Sequence, residues 1–365
     1  MVQRILSSVP TGLLGRGATV CCAVVLLLAT AAAVNVRKTN EETLPPDLLL
    51  EGGRRLSYER SFSSEKEVKG KPGFWAKLVN VVAGEAETRA MVRPYSIAVD
   101  SRGRAIVTDP GAAGVHIFDF VRHKYKFVER QEKGKDAMVA PQCVAIDEED
   151  NFYVTDSEAG KIFVFNAEGK YQRALGSLKG GEGFFKRPTG IAVDGASKRI
   201  YVTDTIRNKV FVLDMKGQVL ETIGQRGGGA AQFSYPTELL LRGNDLAVVD
   251  AMNFRVQFLD AKGSFKGSIG QNGDASGDMF RPKGIGIDSE GHYYVADGLW
   301  GVVQVFDREG RLLYYFGKRG SAPGDFQLPA GLYINSEDRV FVVDSFNRRV
   351  QVFRYYGLRS QGTAK

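Results

Sequence analysis

An all-β fold, a six-bladed β-propeller of four-stranded blades, is what this sequence predicts, and three observations predict it. Forty-three of 365 residues are glycine, with no period of three, which points to turns rather than collagen. Prolines at 94, 141, 188, 236, 282 and 329 each open a hydrophobic segment, and successive prolines stand 47, 47, 48, 46 and 47 residues apart. In step with them runs a second series, "VTDP", "VTDS", "VTDT", "VVDA", "VADG" and "VVDS", with Asp at 109, 156, 204, 250, 297 and 344. Repeats of about 40 to 50 residues are the length of a four-stranded blade.

The elements follow in chain order. Ala18 to Val34, "ATVCCAVVLLLATAAAV", is apolar throughout, and Arg4 and Arg16 are the only charged residues before it. Residues 1–36 therefore read as a signal peptide or a signal-anchor transmembrane helix. Ala29, Ala31 and Ala33 offer cleavage sites, whereas Arg37 and Lys38 weaken the charge bias that fixes orientation, so cleaved and anchored forms both stand. Either way the expected location is the cell envelope, anchored in the inner membrane and facing the periplasm or released into it. Residues 37–53, ending in "NEETLPPDLLLEGG", read as a linker. Cys21 and Cys22 lie in the apolar run, so Cys143 alone cannot build a disulfide within the domain or a cysteine metal site.

The third copy displays the internal plan. "GIAVD", "RIYVTD", "KVFVLD" and "QVLETIG" alternate or are β-branched, and each is followed by a Gly- or Asp-bearing turn. The sixth copy has three such strands and then "RYYGLRSQGTAK", which lacks the alternation; residues 354–365 read as a tail. The absent outer strand is expected from residues 54–64, because "GRRLSYERSFSS" aligns with the fourth-strand phrase "GRLLYYFGKRG". Pairing the two chain ends in one blade closes the ring and removes its free edges. Residues 72–84, with apolar Phe74, Trp75, Leu78, Val79 and Val82 at helical spacing, read as a short amphipathic insert before the first blade.

Each copy also carries a proline-led inner strand, then V-D-x-x-G, then N-x-R-V-x-V-F. The phrase is full in "VDAMNFRVQFLD" and "VDSFNRRVQVF", and Lys209 replaces Arg in "VTDTIRNKVFVLD". The pattern resembles the NHL repeat and covers residues 94–353, about seventy per cent of the chain. The resemblance implies the propeller fold and says little about activity. Some propellers of this kind are peptide-amidating lyases, streptogramin lyases or gluconolactonases, which need metal ligands or a catalytic His at the channel mouth. Here His116 falls on a third strand, His123 in a turn and His292 on the opposite end of the ring, so they do not converge. No cofactor, no catalytic residue and no metal ligand set is predicted.

Composition directs attention to one face. The net charge is +7, and the connections between blades together with the second-to-third-strand loops carry roughly +8 against about −3 for the opposite turns. Arg207, Arg255 and Arg348 lie in those loops. Arg93, Arg187 and Arg281 precede alternate prolines and would face one channel, where guanidinium groups suit a carboxylate or phosphate. Local packing of a repeat arginine is the competing account of all three. The repeated Asp and the N-x-R loop recur in blade after blade, which marks them as architecture. Trp300 stands in "ADGLWGVV" where other copies are polar, placed either to anchor a partner or to pack on the insert; Glu238 is the one obvious carboxylate at the mouth.

The function expected is a non-enzymatic platform that binds a protein or an anionic ligand through its basic face, with the inner membrane a further partner if the N-terminal helix stays uncleaved. The alternative is a lyase or lactonase-type hydrolase with an oxygen-ligated metal at the mouth. RNA binding suits the charge but needs a cytoplasmic address, which the export signal opposes.

Overall fold

The computed structural model describes residues 44–69, 88–129, 137–179 and 181–358. The expected N-terminal apolar helix, the first part of the linker and the 72–84 insert lie outside these residues. Among the described residues no helix is long and apolar enough to cross a membrane.

The chain is a six-bladed β-propeller. Blade three shows the plan: Pro188–Asp194, Arg199–Asp204, Lys209–Asp214 and Val219–Ile223 form one antiparallel sheet in that order. The other blades begin at Ser96, Pro141, Pro236, Pro282 and Pro329. The second and third strands are the most buried part of each blade, because neighbouring blades cover both of their faces; Phe152–Asp156 and Lys161–Phe165 are buried at every position. Outer strands cover one face only, so Val219–Ile223 is mostly exposed until Ile223.

The core lies between blades. Six apolar clusters fill the six seams, as where Tyr201, Val210 and Val212 of blade three meet Leu239, Leu246 and Val248 of blade four. Hydrogen bonds also stitch the first and second strands to the inner strand of the next blade. Thr203 Oγ1 donates to the Thr237 carbonyl at 2.8 Å, and the Gly331 N–H of blade six donates to the Tyr95 carbonyl of blade one at 2.7 Å.

Arg55–Phe62 is the outer strand of blade six and pairs antiparallel with Arg349–Tyr356. A bulge between Tyr58 and Arg60 shifts its register by one residue. That shift exchanges the faces. Leu56 and Tyr58 therefore pack toward blade five, whereas Arg60 lies over the Phe120 ring and Phe62 packs on Phe118, both of blade one. One strand thus seals two seams.

Two boundaries differ from the sequence expectation. Within the proposed linker 37–53, Leu48–Leu49 pairs with Arg55 and Leu56 as a fifth strand on blade six, because the Glu51–Gly53 turn folds the chain back. Residues 354–356 of the proposed tail belong to the last strand, where Tyr355 is buried and donates to Glu290 at 3.1 Å.

Candidate functional site

The six repeated aspartates are all fully buried and build the face rather than acting on it. Each sits at the end of a second strand and accepts backbone N–H bonds from the residues just before the repeat proline. Asp109 accepts from Val92 and Arg93 at 2.6 and 3.0 Å, Asp204 from Lys186 and Arg187 at 2.9 and 3.2 Å, and Asp297 from Phe280 at 2.7 Å and Arg281 at 3.2 Å. The carboxylate satisfies donors that the proline-started strand cannot pair. It also fixes where each pre-proline side chain begins.

This anchoring sets the three alternating arginines. Arg187 and Arg281 line a cavity of about 480 Å³ at the channel mouth. Arg93 is exposed on the same face, near enough for its charge to act on Lys283. Arg207 and Arg255 are turned inward: Arg207 lies 3.5 Å from Asp204 and over the Phe184 ring, and Arg255 Nε donates to Asp250 at 3.0 Å. Arg348 is exposed, with φ at 56°, beside Arg349, which takes up the carboxylate of Asp344. Trp300 is half-buried, its backbone N–H held by Asp297, while its neighbour Leu299 lines the cavity.

Glu238 lies deeper than the mouth, in the waist of the channel. It also lines a second cavity of about 350 Å³ that opens on the opposite face among Asp100, Asp147 and Glu148. The Cys143 thiol donates to Glu238 Oε2 at 3.3 Å. Burial inside the channel pushes its pKa up to about 7, against the opposing pull of the Cys143 hydrogen bond and the Lys283 charge. Burial also pushes the Cys143 thiol up, followed by the nearby carboxylate, which leaves it inert at neutral pH.

Lys283, one residue past its proline, lines the mouth cavity above this waist. Its ammonium stands 5.1 Å from the centre of the Tyr95 ring. Burial depresses its pKa to about 8, and the charges of Arg281, Arg187 and Arg93 act in the same direction. Apolar side chains complete the wall, with Tyr235, Met252, Phe254 and Phe280 on the blade three-to-five side.

The sequence reading missed Lys283, Tyr95 and Cys143 as members of this site. The signal was present in the two positions after each proline, "YS", "QC", "TG", "TE", "KG" and "AG", which vary while the proline itself repeats. The three histidines lie apart. His116 bonds Asp109 and Tyr125, His123 bonds the Val68 carbonyl, and His292 bonds Asp288.

The linkage at Glu238 gives a measurable consequence. A carboxyl with a raised folded-state pKa contributes stability that is full below its unfolded value of 4.5 and is lost as pH rises through 7. Glu238→Gln is therefore expected to be more stable than the wild type at pH 8, by at most about 3 kcal/mol, with the gain shrinking toward zero at pH 4.5. Melting curves at the two pH values check this; an equal shift at both would show that the carboxyl is ionised without cost.

Comparison with known proteins supports the fold. A family model described as "6-bladed beta-propeller" matches residues 192–270. Virginiamycin B lyase from Staphylococcus aureus superposes with a TM-score of 0.53 at 14% identity, covering 82% of this chain and 99% of that one. An auxiliary nutrient binding protein from Bacteroides thetaiotaomicron gives 0.57 at 14% identity, covering 73% and 70%. A structural genomics protein of unknown function from the same organism gives 0.58 at 14%, covering 86% and 84%. No curated protein matches the chain.

Proposed function

We propose that this chain is a non-catalytic binding propeller of the cell envelope that takes an anionic group of a ligand or partner protein into its channel mouth. The observation that carries the reading is the mouth cavity, where Arg187, Arg281 and Lys283 share a wall with Tyr235, Met252, Phe254 and Phe280. Three cations held in a confined space attract a carboxylate or phosphate, and the apolar wall contacts the body that bears it.

Among the described residues no three His, Cys, Asp or Glu side chains group as metal ligands. A nutrient-binding protein and a lyase both stand among the structures sharing the fold, so the ring selects neither role, and the site has to do so. Cationic side chains around an apolar pocket favour holding an anion.

The test is calorimetric titration of the full chain with a panel of small aromatic and aliphatic carboxylates and phosphates, against a variant carrying Arg93→Glu, Arg187→Glu and Arg281→Glu. At least one anion is expected to bind the wild type, with affinity falling as salt rises and falling about 100-fold or more in the variant, as each charge reversal costs on the order of 1 kcal/mol or more. Binding that ignores both salt and the reversals would remove the basic mouth from the account.

A further inference from the structure

Lys283 differs from the surface lysines in ways that bear on chemistry. It is half-buried in a cavity, its ammonium lies over an aromatic ring, and among the described residues no carboxylate stands within ion-pair distance. Its charged neighbours at the mouth are Arg93, Arg187 and Arg281, all of its own sign, and below it lie Cys143 and Glu238, the latter a carboxyl that holds its proton to about pH 7. Lys283 lines the mouth cavity of about 480 Å³ together with Arg187, Arg281 and Tyr95, which leaves room beside the amine for a small ligand. An amine kept from water beside like charges is the arrangement that frees a nitrogen lone pair near neutral pH.

We propose that Lys283 captures a small carbonyl-bearing anion, a 2-oxo acid or an aldehyde carrying a carboxylate or phosphate, as an imine, with Arg187 and Arg281 holding the anionic group. The inference rests on the reading of the mouth as an anion site and adds a covalent step to it. The neutral amine attacks the carbonyl carbon; a C–N bond forms, the carbonyl π bond opens, and the proton leaving nitrogen passes to the oxygen to give a carbinolamine. The carbinolamine oxygen then accepts one proton from Glu238, the carboxyl whose pKa the Lys283 charge acts on, and departs as water as the C=N bond forms. The iminium keeps the positive charge. Hydrolysis runs the same steps backward and returns the proton to Glu238, so nothing is oxidised and no co-reactant is consumed. Tyr95 covers the amine on one side, and Cys143, held as a neutral thiol, takes no part.

The experiment is reductive trapping. Full chain is incubated with glyoxylate and cyanoborohydride at pH 7.5, and carboxymethylated lysines are located by peptide mass spectrometry. At that pH a lysine with a depressed pKa holds roughly 100-fold more neutral amine than an ordinary one, so Lys283 is expected to label at least about tenfold faster than the mean of the other lysines. Arg187→Glu with Arg281→Glu is expected to slow glyoxylate labelling of Lys283 several-fold and to spare the other lysines. Trapping of acetaldehyde, a carbonyl without an anion, should slow less than that of glyoxylate in this variant, because it loses only the share of neutral amine that the arginine charges maintain. Lys283→Arg keeps the charge and serves as the blank for assignment. Oxalate, which resembles glyoxylate but offers no carbonyl to an amine, separates the two ideas by calorimetry. If oxalate binds the wild type and Lys283 labels no faster than the other lysines, the imine inference fails and the anion site stands. If neither occurs, both fail.

Discussion

Phe62→Ala is expected to destabilise the propeller by about 3–5 kcal/mol, the usual cost of emptying a fully buried aromatic position. Phe62 is 1% exposed and packs on Phe118 and Phe120 of blade one, within the cluster that also holds Val343, Val350 and Val352 of blade six. Most core side chains serve a seam between blades contiguous in sequence. Phe62 serves the seam where the ring must close on itself, and it hangs from a strand that the rest of its blade reaches only after nearly 300 residues. A cavity there weakens both the outer strand of blade six and its contact with blade one. Leu49→Ala is the control, since Leu49 is 80% exposed on the added fifth strand and its loss is expected to stay within about 0.5 kcal/mol. Urea titrations followed by circular dichroism measure both. A Phe62 variant within 1 kcal/mol of the wild type would mean that closure rests on the backbone ladder alone.

Asp250→Ala is the second large effect, at about 3–5 kcal/mol, and it separates architecture from function. The carboxylate accepts from the Ser234 N–H at 2.6 Å, from Asn253 Nδ2 at 2.8 Å, from Arg255 Nε at 3.0 Å and from Gln257 Nε2 at 3.1 Å. Alanine leaves these donors without the acceptor that balances them, and Arg255 keeps only carbonyls of Gly229 and Gln232 as partners. Breaking a buried charged network by removing one member costs more than the network contributes when complete. The loops so held carry Tyr235 and Met252 into the mouth cavity, so anion affinity should fall with stability here. Arg187→Glu should behave differently, lowering affinity with little change in melting temperature, because its side chain is exposed. If Asp250→Ala melts like the wild type and loses only binding, the repeated Asp is a ligand residue and the architectural reading of all six is wrong.

The contrast between Glu238 and the repeated Asp shows how far local sequence carries the argument. Both are carboxylates in the repeat. The Asp recurs at one place in every blade and comes with its own donors close in sequence, so its role can be read from one copy. Glu238 occurs once, and its neighbours in the fold, Cys143 and Lys283, lie 95 residues before it and 45 after it.

The strand plan, the number of blades and the origin of the closing strand follow from the sequence, because a strand's period-two alternation and its turn residues are local and six near-identical units can only be stacked in order. The alternating arginines before proline were legible for the same reason. What the tertiary structure alone decided is which faces and which side chains meet. A one-residue bulge near Glu59 turns Phe62 from one seam to the other, and no composition signal marks it. Arg207 and Arg255 turn inward to buried carboxylates while Arg187 and Arg281 reach the cavity, although all four look alike on a basic loop. Ring closure brings Tyr95, Cys143, Glu238 and Lys283 around one axis from four different blades, where the walls exclude water and shift the carboxyl and the amine toward neutrality. Desolvation belongs to the assembled channel and not to any residue in it, so its chemistry becomes visible only when the six inner strands stand side by side.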